Sequence, residues 1–413
     1  MGLCSVNPLG RTRLNHEGHK DPQGRARRTK LRDCEARYAH SMIIAELHTP
    51  CALVDLDRLE ANAVAMAERA HRLGVRLRPH VKTHKCIEAA RIQTAGHFGG
   101  ITVSTLAEAR GFAHAGFRDI TYAVPIAPQK LADVVAIGSL IDRLAVLVDH
   151  VRTIQAIEET ASSHSITLPV WLKLDCGLNR AGVDPASDHA IALAARLART
   201  EHIDFQGALT HAGQSYTARS REQAAEIACD EVSATRSFVN RAAKDGIVVP
   251  EISIGSTPTM TAAENLDGVD EIRPGNYLFF DEFQAAIGSC VIADVALSVL
   301  ATVVSAFPEK RRAVIDAGAL ALSKDPGPIH VDPHCGFGRI VAVEDQHALP
   351  GLRLTSISQE HGVLEGPGTA ALRPGTRIRI LPNHSCLAAA CFESLVAVRE
   401  VAVVDEWRPI RGW

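Results

Sequence analysis

Eight short apolar segments recur between residues 76 and 280, at intervals of roughly 20–45 residues, and this repetition constrains the fold more than any other feature of the chain. They are residues 76–82, 100–104, 120–124, 144–149, 169–175, 205–211, 251–254 and 271–280. Each of the first seven is followed by a helix-like stretch, the longest at 217–245. Eight β/α units predict an α/β fold, a (β/α)8 barrel, with a doubly wound open sheet as the alternative.

The pattern changes after residue 280. Short β-rich runs separated by Gly and Pro occur at 291–304, 312–316, 339–344, 352–359, 376–381 and 395–404. They predict an all-β second domain. We therefore assign residues 47–285 to the barrel and residues 286–413 to the β domain. A further strand, at 51–55, precedes the eight, and the sequence leaves open whether it joins the barrel or the β domain.

Residues 1–46 form a separate basic leader in this prediction. Residues 1–41 carry nine Lys or Arg against four Asp or Glu, although the whole chain has a net charge of −3. They contain no apolar core, which excludes a secretory signal peptide. We expect a disordered tail, with a nucleic-acid-binding arm as the alternative. Met42 is a candidate natural start, because the folded pattern begins just after it.

Composition excludes several classes of protein. A content of 46% hydrophobic and 22% charged residues is typical of a globular protein. A net charge of −3 gives no general attraction to nucleic acid or to a membrane. The longest apolar stretch, 291–307, is interrupted by Asp294 and is short for a bilayer. Ten scattered Cys residues favour reduced thiols or metal ligands over a disulfide framework, so we expect a cytoplasmic protein.

Reactive side chains follow several of the predicted barrel strands. Lys82, Arg180, His211 and the run Gly255-Ser256-Thr257 all fall at carboxyl ends of strands, where barrel enzymes have their active sites. Taken alone, Lys82 is better explained as a surface lysine and the Gly-Ser-Thr run as a turn. Together, an amine that can bind an aldehyde, an arginine and an anion site fit a phosphorylated aldehyde cofactor.

Two His-x-Cys pairs occur, His84/Cys86 and His384/Cys386. The first pair lies at the start of a predicted helix, where residues two apart diverge. The second follows a strand-like run, and in an extended segment residues two apart share a face. A thiolate and an imidazole on one face suit zinc, and two ligands leave positions for water or substrate. A buried thiol beside a structural histidine is the alternative.

Several motifs in a fixed order resemble the fold-type III pyridoxal-phosphate enzymes, and most closely their D-serine dehydratase / D-threonine aldolase branch. The resemblance extends from about residue 47 to residue 404. The motifs are Thr49-Pro-Cys-Ala-Leu-Val-Asp-Leu-Asp57, Arg78-Pro-His-Val-Lys-Thr-His-Lys85, Lys173-Leu-Asp-Cys-Gly-Leu-Asn-Arg180, Thr210-His-Ala-Gly-Gln-Ser-Tyr216, Ser253-Ile-Gly-Ser-Thr-Pro-Thr259, Glu271-Ile-Arg-Pro-Gly-Asn-Tyr277, Gln359-Glu-His-Gly362 and Pro382-Asn-His-Ser-Cys386.

The resemblance implies pyridoxal 5'-phosphate as cofactor and a role for each matching residue. Lys82 would bind the cofactor aldehyde covalently and serve as the base at Cα. The other implied contacts are Arg180 near the phenolic oxygen, His211, Gln214 and Tyr216 along the cofactor or substrate, Gly255, Ser256, Thr257, Gly275 and Asn276 at the phosphate, Arg273 facing the pyridine nitrogen, and Tyr277.

His384 and Cys386 match the metal pair of the dehydratases, with Zn²⁺ the expected ion and Mn²⁺ the alternative. The aldolases usually have aspartate as the second ligand, so Cys386 favours a dehydratase. The dehydratases usually have a proline soon afterwards, whereas this chain has Leu387-Ala-Ala-Ala390. The resemblance also implies a homodimer in which the β domain of one subunit closes the barrel mouth of the other.

The implied activity is β-elimination from a D-3-hydroxy amino acid, most simply D-serine to pyruvate and ammonia. The alternatives are D-threonine or 3-hydroxy-D-aspartate as the substrate, and retro-aldol cleavage to glycine and an aldehyde. A non-catalytic cofactor carrier is disfavoured because such proteins lack the metal pair and the β domain. A racemase is disfavoured because the metal pair provides no second base.

Overall fold

The structure is a computed structural model that describes residues 42–413. The expectations for residues 1–41 lie outside the described residues. The first strand, β1 (Cys51–Asp55), pairs away from the barrel. The barrel strands are β2 (Arg76–Leu77), β3 (Ile101–Val103), β4 (Asp119–Pro125), β5 (Arg143–Val148), β6 (Leu168–Lys173), β7 (Ile203–Leu209), β8 (Glu251–Ile254) and β9 (Glu271–Ile272).

These eight strands are parallel and lie in the order β2-β9-β8-β7-β6-β5-β4-β3. A single parallel bridge between His80 and Thr102 joins the two ends of this order and closes the ring. The (β/α)8 barrel is therefore confirmed, and the open sheet is wrong. The helices of this half are α1 (Leu56–Arg72), α2 (Ile87–Thr94), α3 (Leu106–His114), α4 (Leu131–Gly138), α5 (Val151–Ser163), α6 (Asp188–Arg199), α7 (Arg221–Lys244), α8 (Thr257–Ala262) and α9 (Glu282–Ala286).

Two predicted strands are much shorter in the structure. The strand predicted at 76–82 ends at Leu77, and the strand predicted at 271–280 ends at Ile272. Pro79 and Pro274 follow these ends, and a proline has no amide hydrogen to donate to a strand ladder. As a result Lys82 lies in a short 3-10 helix, Val81–Thr83, rather than on a strand.

The second half is a mixed sheet with two short helices. Its strands are β10 (Leu297–Phe307), β11 (Arg312–Ile315), β12 (Arg339–Val341), β13 (Arg353–Ile357), β14 (Gly362–Glu365), β15 (Arg377–Leu381), β16 (Leu395–Arg399) and β17 (Ala402–Trp407), and its helices are α10 (Ala319–Leu322) and α11 (Ser385–Ala390). β1 lies inside this sheet, antiparallel to β10 and parallel to β16. No helix within residues 42–413 is both long and apolar enough to span a membrane.

Hydrophobic packing accounts for most of both halves. One large cluster fills the space between the barrel strands and the helices around them, and it includes Phe112, Ile154 and Phe238, none of which is exposed. A second cluster, around Val299, Ile315 and Ile380, fills the β domain. Parallel strands covered by helices are buried on both faces, which explains their nearly continuous apolar sequence.

The barrel interior contains charges as well as apolar groups. Arg78, 2% exposed, donates to Glu271 Oε2 at 2.6 Å and to both carboxylate oxygens of Asp119 at 2.8 and 2.9 Å. Glu271 is fully buried. Arg143 donates to the same Asp119 at 2.8 Å. Burial alone would disfavour the Arg78 cation, but the two carboxylates raise its pKa above the ordinary value.

We expect Arg78→Met to lower the free energy of unfolding by about 3–5 kcal/mol, because it leaves the buried Glu271 carboxylate without its charged partner. Urea denaturation measures this change. Arg118→Met is the matched control, since Arg118 and Asp142 form an ion pair that is mostly exposed, and it should cost less than about 1 kcal/mol. Equal losses in the two variants would contradict the expectation.

Candidate active site

A cavity of about 350 Å³ opens at the carboxyl ends of the barrel strands. Its wall includes four cationic side chains and two histidines and no carboxylate: Lys82, Lys173, Arg180, Arg273, His80 and His211. Such a wall favours a ligand that carries several negative charges. A larger and more open cleft of about 750 Å³, beside α9 and β12, is lined by none of the predicted site residues.

Lys82 enters this cavity from the turn after β2. His80 is the N-cap of that turn, and its Nδ1 accepts a hydrogen bond from the Lys82 amide at 3.4 Å. Burial lowers the pKa of Lys82 below its ordinary value, although the nearby Cys386 acts in the opposite direction. A lysine with a lowered pKa has a larger neutral fraction, which a nucleophile or a base requires.

Both cavity histidines are neutral. His211 Nδ1 donates to the Gly255 carbonyl at 3.1 Å, which leaves Nε2 without a proton. His80 Nε2 lies 3.4 Å from the Ser104 hydroxyl. Burial and then the charge of Lys82 lower the pKa of each imidazole well below its ordinary value. The charge of this site therefore comes from its lysines and arginines.

The other three cations differ in how they are held. Arg273 is 5% exposed and donates to Ser253 Oγ at 3.3 Å and to the Thr210 carbonyl. Burial lowers its pKa to about 10, and Glu271 opposes that effect. Lys173 donates to the Leu174 carbonyl at 2.9 Å. Arg180 has no hydrogen bond or ion pair with any residue in the described part of the chain, so it is free to meet a ligand.

The residues expected at the phosphate lie together at the ends of β8 and β9. Ser256 is the N-cap of α8, and the Thr257 hydroxyl accepts the Tyr277 amide at 3.1 Å. Within residues 42–413, the amides of Thr257, Gly275 and Asn276 have no internal acceptor. A Cβ on Gly275 would lie 2.7 Å from the His80 carbonyl oxygen, so only glycine fits there. Free amides beside a cation-lined cavity fit a phosphate group.

Some expected cofactor contacts lie away from the cavity wall. The Tyr277 side chain is fully buried in a hydrophobic cluster beneath the site. Asn276 Nδ2 donates to Asp281 at 2.8 Å and to the Ser385 hydroxyl at 3.0 Å, so its side chain faces the predicted metal pair. Gln214 Nε2 donates to the Cys176 carbonyl at 2.8 Å, and Gln214 Oε1 is buried with no partner among the described residues.

His384 and Cys386 lie beside the Lys82 turn. The expectation of an extended segment there is wrong: His384 is the N-cap of α11, and Cys386 belongs to its first turn. The run of alanines that follows favours a helix. The Cys386 thiol lies 3.3 Å from the Thr83 hydroxyl, next to Lys82 in the chain. Within the described residues, no third His, Cys, Asp or Glu completes a metal-binding group with this pair.

The charge of the His384 imidazole favours the thiolate form of Cys386. Burial raises the pKa of the Cys386 thiol, but His384 and then Lys82 outweigh burial and lower it to about 7. A thiolate is the form that binds zinc and other soft metal ions. Tyr216 lies on the same side, with its ring 5.7 Å from that of Phe283. Burial raises the pKa of Tyr216, and the nearby Cys386 raises it further. The donor set therefore fits a divalent metal ion.

The pair His84/Cys86 forms no such site. His84 Nδ1 accepts the Cys86 amide at 3.0 Å, and His84 lies 3.0 Å from the Gln93 side chain. Both residues are buried in the core. This histidine therefore has a structural role.

Sequence reasoning missed several residues at this site. His80 and Lys173 are within the quoted motifs, and the position of Lys173 at the end of a barrel strand was a usable signal. Glu231 accepts from the Thr210 hydroxyl and from the amides of Ala212 and Gly255, which shapes the loop ends. Asp325 contacts His384 from a distant part of the chain, for which the local sequence has no signal.

Comparison with known families assigns both halves. Residues 54–282 match the family "Alanine racemase, N-terminal domain", and residues 296–398 match the family "Putative serine dehydratase domain". The chain therefore belongs to the fold-type III pyridoxal-phosphate enzymes. Within that class its relatives are dehydratases and aldolases, and the chain is an enzyme of this lyase branch.

Three relatives cover nearly the whole chain. A D-threo-3-hydroxyaspartate dehydratase from Delftia sp. is 40% identical and covers 89% of this chain and 98% of its own length. A D-serine dehydratase from Dictyostelium discoideum is 35% identical, with coverage of 90% and 98%. A D-threonine aldolase from Arthrobacter sp. is 32% identical, with coverage of 88% and 92%. A solved structure of the Delftia enzyme has a TM-score of 0.85 and 38% identity, and covers 90% of this chain and 100% of its own.

Lys173 provides a test of the cation-lined cavity. Burial lowers its pKa from 10.5 to about 8, so between these two pH values the unfolded chain binds more protons than the folded one. Lys173 therefore destabilises the folded protein fully below about pH 8, and this effect disappears as the pH rises from about 8 to 10.5. We expect Lys173→Met to stabilise the cofactor-free protein by about 3 kcal/mol at pH 7 and by progressively less at higher pH.

Chemical denaturation at several pH values measures this difference between wild type and variant. Lys244→Met is the control, because Lys244 is exposed at the end of α7, and its effect should be small at every pH. A Lys173→Met effect that does not change with pH would contradict the expectation.

Proposed function

We propose that this chain is a pyridoxal-phosphate- and metal-dependent dehydratase of D-3-hydroxy amino acids. D-Serine is the substrate proposed first, with pyruvate and ammonia as products. The observation that carries the proposal is that the His384/Cys386 pair lies beside the turn that carries Lys82 into the cavity, with the Cys386 thiol 3.3 Å from the hydroxyl of the adjacent Thr83. An amine and a metal pair this close together can act on adjacent carbon atoms of the same substrate.

Pyridoxal phosphate supplies an electron sink for charge that develops at Cα, and a divalent ion supplies a Lewis acid for the β-hydroxyl. The residues that would hold the phosphate are Thr257, Gly275 and Asn276, through their free amides. Arg273 and Arg180 would contribute positive charge along the cavity. His384 and Cys386 would hold the metal ion, with Zn²⁺ proposed first because the donors are an imidazole and a thiolate.

Lys82 would anchor the cofactor and, once displaced by the substrate amine, take the proton from Cα. Its lowered pKa supports this role, because a neutral amine can accept a proton at moderate pH. The histidines beside it, His80 and His211, are neutral, so they do not attract the substrate carboxylate as cations would.

D-threo-3-Hydroxyaspartate is a second candidate substrate. The cavity wall holds four cationic side chains and no carboxylate, and Arg180 has no partner among the described residues. The second carboxylate of this substrate would pair with one of these cationic side chains. The relative from Delftia sp., at 40% identity, has this compound in its name.

A product assay tests the proposed function. Incubation with D-serine and with D-threo-3-hydroxyaspartate should release a 2-oxo acid and ammonia in equal amounts, and a chelator should abolish release. Lys82→Ala should lose the visible absorbance of the bound cofactor and all turnover. Glycine and an aldehyde from D-threonine, without ammonia from any substrate, would show a retro-aldol enzyme instead.

A pair of thiol variants controls for the metal. Cys386→Ala should reduce turnover as strongly as chelation does and keep the cofactor absorbance. Cys391→Ala should behave like the wild type, because this exposed thiol lies one turn further along, away from Lys82. Full activity in Cys386→Ala would remove the metal pair from the proposal.

We also propose that the chain acts as a cytoplasmic homodimer. Three apolar side chains near the predicted metal pair are unusually exposed: Leu320 at 56%, Ile329 at 51% and Leu387 at 43%. Burial of such residues in a subunit interface would stabilise a dimer. Light scattering should give twice the mass of one chain, and Leu387→Asp should shift it towards the monomer. A monomeric wild type would contradict this.

A further inference from the structure

We propose that Asp325 is a positioning residue that orients the His384 ring and fixes its tautomer, so that Nε2 is available to a divalent metal ion. The inference rests on the metal half of the proposed function. It concerns a residue that lies 59 positions before His384 in the chain, in the loop after α10.

The contact joins Asp325 Oδ2 and His384 Nδ1 at 3.0 Å. A carboxylate can only accept a hydrogen bond, so Nδ1 carries a proton, and in the neutral imidazole, the form that binds a metal ion, the lone pair is on Nε2. Cys386 lies two residues further on, in the first turn of the helix that His384 caps. With Nδ1 occupied by Asp325, Nε2 is the nitrogen left for a metal ion shared with Cys386. Carboxylates that orient metal-binding histidines in this way are a general feature of metal sites.

The Asp325 carboxylate is itself held in place. Its Oδ1 accepts the Gly327 amide at 2.8 Å, so each carboxylate oxygen has a different partner. Both side chains of the pair are only partly exposed, His384 at 31% and Asp325 at 21%. Two fixed oxygens define the plane of the carboxylate and therefore the direction from which the imidazole is held.

The loop also packs directly against the residue next to the histidine. Asn383, next to His384 and 2% exposed, donates to the carbonyl oxygens of Asp325 at 3.1 Å and of Gly336 at 2.9 Å. A Cβ on Gly327 would lie 2.5 Å from Asn383 Cγ, so the loop approaches closely only because residue 327 is glycine. This packing holds Asp325 beside the ring.

An amide at position 325 would reverse the tautomer. In Asp325→Asn, the Gly327 amide would keep the side-chain oxygen on its own side, so the NH₂ group would face His384 Nδ1. Nδ1 would then accept, and the imidazole proton would move to Nε2, where it blocks a metal ion. Asp325→Ala leaves the ring free to adopt either tautomer. The near-isosteric change should therefore harm metal binding at least as much as the truncation.

Titration with Co²⁺ tests this on the holoenzyme. The protein is stripped of metal by a chelator that leaves the cofactor absorbance unchanged, and Co²⁺ is then added while the thiolate-to-cobalt absorption is recorded. Competition with the chelator gives the Kd. We expect Asp325→Asn and Asp325→Ala to weaken Co²⁺ binding by about 10–100-fold, with Asp325→Asn affected at least as strongly. Cofactor absorbance and metal-free thermal stability should be close to wild type.

Asp345→Asn is the matched control, because Asp345 and His347 form the same type of contact, at 2.6 Å, on an exposed loop. It should leave the Co²⁺ Kd unchanged. Wild-type affinity in Asp325→Asn overturns the inference, and so does wild-type affinity in Asp325→Ala if the amide variant does not fold. A wild-type protein that binds no Co²⁺ overturns the metal half of the proposed function as well, whereas tight binding by every variant overturns only the role of Asp325.

Discussion

Inside the barrel, the guanidinium of Arg78 joins three strands. It follows the first barrel strand, β2, and donates to Glu271 on the last strand, β9, and to Asp119 on β4. β2 and β9 share only two paired positions, so this junction of the ring is short. The buried ion pair reinforces the junction, and both the Lys82 turn and Arg273 begin directly beside it.

The same network keeps the buried carboxylates apart from the cations that line the cavity. Glu271 accepts from the Ser253 hydroxyl at 2.7 Å, and Ser253 in turn accepts from Arg273. Glu231, also fully buried, is bonded to the ends of β7 and β8. The carboxylates are therefore outside the cavity wall and hold its loops, while the cations line the wall. The positive charge of the wall is kept in place by acids that do not face the cavity.

The fold could be predicted because a repeated β/α pattern is a local property of sequence, and eight repeats permit few closed architectures. The place of Lys82 after a strand became informative only together with the arginine and the anion site, and Pro79 ends that strand earlier than expected. The strand-like run before His384 and Cys386 predicts an extended segment, whereas the alanines after them favour the helix that the structure contains. The roles of the individual site residues stay predictions. Contacts such as Asp325 to His384, and the place of β1 between β10 and β16, depend on pairings across long stretches of chain that no local pattern encodes.

The place of β1 has a consequence for how this chain is made. Val54 pairs with Leu297 on one side and with Ala397 on the other, so the second partner leaves the ribosome only when synthesis is almost complete. At ordinary rates of translation this delay is on the order of tens of seconds. During that time the apolar strand has an open edge, while the barrel helices beside it can already pack. An open apolar edge of this kind is a site at which another chain can pair, so the late arrival of β16 lengthens the period of exposure.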